Sequence, residues 1–491
     1  MVLAPATIDP SNRNRRIMKF GTSGLRGLVV DLEGRASALY ATAFARHLLE
    51  AGLAKPGDPV LVGRDFRASS PGISATCIGA LQRAGLCAID CGAVPTPALA
   101  LYGMKLSAAC LMITGSHIPD DRNGIKFYRA DGEIDKQDEI RITAIAGSMV
   151  GEEIDDTAGE AADQRAEAEA LFVERNAMLL APNALAGLTI GVYQHSTVAR
   201  DLFVQILEKL GARVVPLGRS ERFIPVDTEA VSAETIDFLR SWAPQHRLDA
   251  IVSADGDGDR PLVSDEKGQP LRGDLLGLIT ANFLHAKVVA TPVTSNSQIE
   301  AAGDYRVLRT KVGSPFVIAA MQSAADAGDT EIVGFEANGG TLTGSDFTVA
   351  GGTLKALPTR DSFLPAIATL SLLAKAKQPL SRVVADHPLA FAAADRLENF
   401  PVETSAALMA HLRASDENLA AFLAPIGSVV SKSDIDGLRA TLEDGRIIHL
   451  RPSGNAPEMR CYVEAQDEQE ASKLLAQGLD LIRRWAAERN S

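Results

Sequence analysis

Along most of the chain, short apolar runs that read as buried strands alternate with longer stretches whose apolar residues recur at helical spacing. PVLVGRD (59–65) reads as a strand, SATCIGALQRAG (74–85) as a helix and LCAIDCG (86–92) as the next strand. The theme returns as LTIGVY (188–193), STVARDLFVQILEKLG (196–211) and ARVVPLG (212–218). It appears a third time as KVVATPV (287–293), a polar helical stretch at SNSQIEAAG (295–303), YRVLRTKV (305–312) and a helix over PFVIAAMQSAADAG (315–328). In the first two units a glycine, Gly85 or Gly211, stands where a left-handed helix cap belongs. Three units of about 100–120 residues each suggest three related α/β domains. GEEIDDTAGEAADQRAEAEA (151–170) reads as an acidic linker running into a helix.

The last part of the chain changes pattern. GLRATLE and RIIHLRPS flank Asp444-Gly445, a hairpin signal, and MRCYVEA supplies a third strand. A final helix gathers Ala471, Leu474, Leu475, Leu479, Ile482 and Trp485 on one apolar face. The expected division is 1–155, 156–268 and 269–388 for three α/β domains and 389–491 for a smaller α+β domain.

Composition narrows the class. Hydrophobic residues make up 46% and charged residues 23% of 491, as in soluble globular proteins, which excludes a disordered chain. Net charge is −13, from 49 Lys+Arg against 62 Asp+Glu, which argues against a nucleic-acid partner. No apolar run reaches the ~18 residues of a membrane span, so no membrane partner is expected. The first twenty residues lack the regions of a signal peptide, and the five cysteines show no CxxC spacing. A reduced, cytoplasmic setting is expected. No sequence feature sets an oligomeric state.

Polar, glycine-containing loops interrupt this scaffold. In ADGDGDR (254–260), Asp255, Asp257 and Asp259 alternate with glycine, so three carboxylates can converge on one hard cation. A calcium loop is the competing reading, and Glu266 falls at its twelfth position. It fails at the sixth position, where Arg260 replaces the required glycine, and strand-like rather than helical segments flank the loop. In ITGSHIPDDRNGIKFY (113–128), Ser116 follows an apolar strand, and His117 and Lys126 are close enough in sequence to share its mouth. The strand–turn–helix elbow of a serine hydrolase is missing. FGTSGLRG (20–27) offers Thr22, Ser23 and Arg26, and VGRDFRASS (62–70) places Arg64 and Arg67 beside Asp65. RPSGNAPEMR (451–460) combines Arg451, Ser453, Gly454 and Asn455 between two strands. Arginine forks and backbone donors suit a phosphate dianion. GFEANGG (334–340) sets Glu336 and Asn338 among glycines, a pairing suited to sugar hydroxyls.

Taken in order, GTSGLRG, GRDFR, TGSHIPDDRNGIK, DGDGDR, GFEANGG and RPSGNAPEMR resemble the loops of the α-D-phosphohexomutase superfamily, from about Phe20 to Glu464. Within it the chain looks most like the bacterial phosphomannomutase/phosphoglucomutase group. The resemblance implies an α/β fold of four domains: three similar α/β domains with mixed sheets and a smaller C-terminal α+β domain around a central cleft. It implies that Ser116 is phosphorylated and that Asp255, Asp257 and Asp259 hold Mg²⁺, with the Ser116 phosphate completing the site. Arg26, His117, Lys126 and Arg260 would assist phosphoryl transfer. Lys311, Glu336 and Asn338 would face the sugar, and Arg451, Ser453, Gly454 and Asn455 would hold the phosphate that is not transferred. Thr22, Ser23 and Arg64 are further phosphate candidates.

The implied substrate is a hexose monophosphate, converted between its 6- and 1-phosphates through a hexose 1,6-bisphosphate, with mannose the first choice and glucose or dual specificity the alternative. A serine-dependent phosphatase would have no use for the second phosphate loop, and a non-enzymatic binding protein none for Ser116 beside carboxylates. The chain departs from the family pattern at Gly115 and Ile118, where alanine and asparagine are common, at Asn338 for serine, and at Asn455-Ala456 for Thr-Glu.

Overall fold

The computed structural model describes residues 18, 20–21, 24–387, 389–453 and 457–490. The chain forms two compact units, one running to Val289 and resuming over Gly313–Asp386, the other made of Ala290–Val312 and the chain from His387 onward.

In the first unit, strands Pro59–Arg64, Cys87–Ala93 and Ala109–Ile113 pair in parallel. Their apolar runs are sandwiched between helices, the usual condition for parallel strands. Arg35–Glu50 packs on one side through Tyr40, Phe44 and Leu48, one helical turn apart, and Thr96–Leu106 covers a second cluster around Leu99 and Met112. Burying a side chain such as Phe44 stabilises by about 1.5–3 kcal/mol. Arg122–Arg129 runs back antiparallel to Ala109–Ile113, and Leu25–Leu28 pairs with it at the edge. A second sheet has Ala250–Ala254, Thr189–Tyr193 and Arg213–Leu217 in parallel, with Pro261–Ser264 antiparallel beside the first of these. Farther along, Ile332–Phe335, Thr341–Thr343 and Leu357–Asp361 pair antiparallel.

The second unit contains an antiparallel sheet in the order Phe391–Leu397, Met459–Ala465, Ile447–Pro452, Leu438–Leu442, Val429–Ser433. The expected hairpin closes at Asp444-Gly445, with Gly445 at φ 84° as the turn requires. Helix Glu468–Asn490 packs Ala471, Leu474, Leu479 and Ile482 into the core of this unit. Residues 290–312 are tied to the same unit by hydrogen bonds. Asn296 Nδ2 donates to Ala390 O at 2.8 Å, Ser297 Oγ to Glu464 at 2.5 Å and Val312 N to Asp436 at 3.0 Å.

One device recurs. Three of the chemistry-bearing loops are turns between a strand and its antiparallel return: 114–121, 255–260 and 336–340. Strand pairing therefore anchors both ends of these three loops.

Two expected helices change. The stretch 295–303 contains only a 3₁₀ turn, Ser297–Ala301, capped by Asn296. The helix expected from Ser196 begins at Arg200; ahead of it, Val198 N donates to Gly256 O at 3.1 Å, inside the aspartate loop. The acidic linker contributes a short strand, Ala162–Asp163, before its helix Arg165–Ala177. Strands Leu25–Leu28, Phe391–Leu397 and Val429–Ser433 form where the apolar pattern is too weak to predict them. Among the described residues no helix is long and apolar enough to cross a membrane.

Candidate active site

The serine loop is built from inside. Asp65 Oδ2 accepts from Thr114 Oγ1 at 2.8 Å, and Thr114 Oγ1 in turn accepts from Ser116 N at 2.8 Å. Ser116 has φ 55°, a left-handed conformation that a non-glycine residue keeps only where its surroundings enforce it. Its Oγ donates to Asp255 Oδ2 at 2.5 Å and lies 3.2 Å from His117 Nδ1. Arg260 Nη1 approaches the same His117 nitrogen at 3.0 Å. Burial, reinforced by the Arg260 charge, pulls His117 down to about 4, so the ring is neutral and Nδ1 accepts.

The three aspartates of the next loop are fully buried. Asp255 Oδ1 accepts from the amides of Asp259 and Arg260, both at 3.1 Å, so the loop wraps around this carboxylate. Asp257 Oδ2 accepts from Thr96 Oγ1 at 2.6 Å and Lys126 Nζ at 2.5 Å, and Lys126 also reaches Asp259 Oδ2 at 2.6 Å. Arg360 grips Asp259 Oδ2 through Nε and Nη2 at 3.0 and 2.8 Å, and reaches Glu336 Oε2 through Nη1 at 2.9 Å.

These outer contacts leave two carboxylate oxygens over. Asp257 Oδ1 and Asp259 Oδ1 are buried with no hydrogen-bond donor, the latter with Arg260 Nε only at 3.9 Å. One oxygen from each of the three aspartates lies within 4.8 Å of the others. Orphaned buried oxygens on an all-carboxylate set fit a hard divalent cation.

The charges are steeply organised. Burial raises Asp255 well above the carboxylate range, and its neighbours Asp257 and Asp259 push it further. Burial also opposes ionisation of Asp259, but Arg360, Lys126 and Arg260 outweigh it and hold this carboxyl well below its ordinary value. Lys126 is raised because Asp257 and Asp259 overcome its desolvation. Arg26 falls to about 10 through burial and the Arg260 and Arg360 charges.

Glu336 and Asn338 are both buried in their loop; Asn338 Oδ1 accepts from Gly340 N at 3.0 Å, holding the turn. Lys311 and Arg451 belong to the second unit. Arg451 Nε lies 3.0 Å from Asp436 Oδ2, an ion pair without hydrogen-bond alignment, and that oxygen also accepts from Val312 N, next to Lys311. Ser453 N donates to Glu458 O at 2.9 Å. Thr22, Ser23, Gly454 and Asn455 lie outside the described residues.

The basic loop at 62–70 differs from the sequence reading. Arg64 is paired with Asp90 at 2.8 Å. Arg67 is buried inside the serine loop and cannot grip a phosphate, because its hydrogen bonds are spent on backbone carbonyls and Asp65.

Two members of the cluster were missed. Thr96 gives no signal in VPTPAL. Arg360 does: in ALPTRDSFLPAI a lone Arg-Asp pair inside an apolar run marks a buried charge needing partners. Arg360→Ala would leave Asp259 and Glu336 buried without it, and should destabilise by ~3–5 kcal/mol. The urea midpoint of the purified variant should fall accordingly; an unchanged midpoint would mean that the cluster relaxes around the loss.

Comparison with known proteins gives four matching family models, described as phosphoglucomutase/phosphomannomutase α/β/α domain I (residues 17–149), domain II (171–268), domain III (272–391) and C-terminal domain (397–481). A phosphomannomutase of Sinorhizobium fredii is 58% identical over 467 residues, covering 94% of this chain and 98% of the relative. A phosphomannomutase of Salmonella muenchen is 40% identical over 472 residues, covering 96% of each. The crystal structure of a phosphoglucomutase/phosphomannomutase family protein from Burkholderia thailandensis superposes with a TM-score of 0.74 at 22% identity, covering 96% of this chain and 97% of that one.

Proposed function

Because the chain belongs to the phosphoglucomutase/phosphomannomutase family, with its three α/β domains and C-terminal α+β domain, we propose that it interconverts mannose 6-phosphate and mannose 1-phosphate. It is an enzyme, a phosphohexomutase of the isomerase class. The mannose reading draws on the names of the two phosphomannomutase relatives. The mechanistic reading is carried by one observation: the Ser116 hydroxyl is hydrogen-bonded to Asp255 within a buried cluster of carboxylates and cations.

In this reading Ser116 carries the phosphoryl group. The Oγ–P bond breaks as a P–O bond forms to the free hydroxyl of a bound hexose monophosphate, giving a 1,6-bisphosphate. The hydroxyl proton leaves as the bond forms, and Lys126 or His117, both in contact with this cluster, would exchange it. Transfer of the other phosphate back to Ser116 completes the cycle. Asp255, Asp257 and Asp259 would hold Mg²⁺, which when bound offsets charge on the transferring oxygens. Arg26, Arg260 and Arg360 supply fixed positive charge for the same purpose. Glu336 and Asn338, with Lys311, would contact the sugar.

Two measurements test the proposal. Intact mass should register one phosphate on Ser116 that is exchanged with a hexose 1,6-bisphosphate. Steady-state assays with mannose 1-phosphate and glucose 1-phosphate should give the larger kcat/KM for mannose; a preference for glucose would reassign the sugar and leave the chemistry.

Arg451, Ser453, Gly454 and Asn455 would hold the phosphate that is not being transferred. Arg451→Ala should then weaken monophosphate and bisphosphate binding by ~10- to 100-fold, the equivalent of one lost charge-assisted contact of about 1.5–3 kcal/mol. Phosphate on Ser116 should persist, and released bisphosphate should rise in single-turnover experiments. Wild-type affinity without extra release would make this loop a mere hairpin connection.

A further inference from the structure

We propose that Arg67 is a positioning residue for phosphoryl transfer, holding the Ser116 backbone in its reactive conformation. The inference rests on the reading of Ser116 as the phosphoryl carrier and adds a device that maintains it.

A guanidinium has five N–H donors in a rigid planar fork, and all five of Arg67 are used within one loop system. Nε donates to Asp65 Oδ2 at 3.2 Å, Nη1 to Pro119 O and Arg122 O at 2.8 and 3.0 Å, and Nη2 to Ser116 O and Ile118 O at 3.1 and 2.6 Å. The side chain is 1% exposed, so none of these bonds competes with water. Asp65 extends the grip to the other side of the serine through Thr114 Oγ1, which accepts from Ser116 N. The residue held between them is the one at φ 55°.

The fork is also covered. The Phe223 ring centroid lies 3.9 Å from Arg67 Cζ. A Cβ at Gly256 would come within 2.9 Å of that ring and 2.7 Å of Ser116 O, so the aspartate loop closes directly on the carbonyl that Arg67 holds. Arg67 thereby fixes the serine loop where the metal-binding loop meets it. It touches neither the Ser116 hydroxyl nor the three aspartates through any of its bonds, which leaves orientation as its contribution.

A displacement of the reacting oxygen by about 1 Å costs on the order of 100-fold in rate, and it falls on the chemical step. Arg67→Lys keeps the charge but offers three donors from a point instead of a planar fork. With mannose 1-phosphate as substrate, it should lower kcat by ~10- to 100-fold and change KM by no more than about threefold. Guanidinium ion added to Arg67→Ala should restore part of the lost kcat, and methylammonium should not.

A folded Arg67→Lys protein with wild-type kcat would overturn the proposal. So would a rate loss that matches the unfolded fraction by circular dichroism, or a raised KM at unchanged kcat. Where neither Arg67 variant folds, Phe223→Ala, which uncovers the fork without removing it, should lower kcat at constant KM, and an unchanged kcat there is equally decisive against it. Wild-type protein without an exchangeable phosphate on Ser116 would sink the carrier reading itself. An exchangeable phosphate together with wild-type rates in Arg67→Lys would sink the positioning role alone.

Discussion

Ser116→Ala is expected to lower mutase turnover by roughly 10⁶-fold, the scale lost when a covalent nucleophile is deleted from an otherwise intact site. The fold should survive. Alanine keeps a Cβ and therefore the same backbone cost at φ 55°, so no strain is released or added. What is lost is one hydrogen bond to a buried carboxylate, Asp255 Oδ2, worth about 1–3 kcal/mol. Turnover must be measured on protein free of wild-type enzyme, alongside a thermal melt and an intact mass. Substantial activity in a variant carrying no phosphate would place the phosphoryl carrier on another residue.

Asp257→Asn should slow phosphoryl transfer by about 10²–10⁴-fold, comparable to removing a preorganised charge stabiliser or a positioned acid–base group. The amide cannot reproduce the carboxylate. If its oxygen takes over the contacts with Thr96 and Lys126, its NH₂ faces the position of the unpartnered Oδ1 and repels a cation. If it turns the other way, two donors meet a donor. Titration with Mg²⁺ or Mn²⁺ followed by calorimetry should register a large loss of affinity relative to wild type. Wild-type activity should disappear in EDTA and return with Mg²⁺; survival in EDTA would rule out the metal assignment for these aspartates.

The parts of the site that lie at hairpin tips were legible because their chemistry is local. Asp255, Asp257 and Asp259 fall within one turn, so glycine spacing alone brings their carboxylates together. Ser116 lies in, and Lys126 just beyond, a loop whose two strands pair in register, Met112 opposite Lys126 and Ile113 opposite Ile125. The strand–helix–strand units were legible for a similar reason, since apolar runs bounded by glycine carry their own periodicity. Arginine is harder to read. Arg64, Arg67 and Arg360 look alike in sequence, yet one is paired at the sheet's end with Asp90, one is enclosed in a loop and one bridges two buried carboxylates. What decides among these is the position of acceptors distant in sequence, such as Ile118 O for Arg67 or Asp259 for Arg360.

Residues 290–312 have a consequence for any attempt to recombine this protein with its relatives. They precede the third α/β segment's sugar-loop strands in the chain, yet their acceptors at Ala390, Asp436 and Glu464 are supplied from beyond it. A crossover near residue 387 would match the Ser297 amide and hydroxyl, the Val312 amide and the Asn296 side chain with acceptors from a different parent. The inheritable block is therefore discontinuous: the C-terminal module and the stretch that carries Lys311 have to come from one parent, or change together.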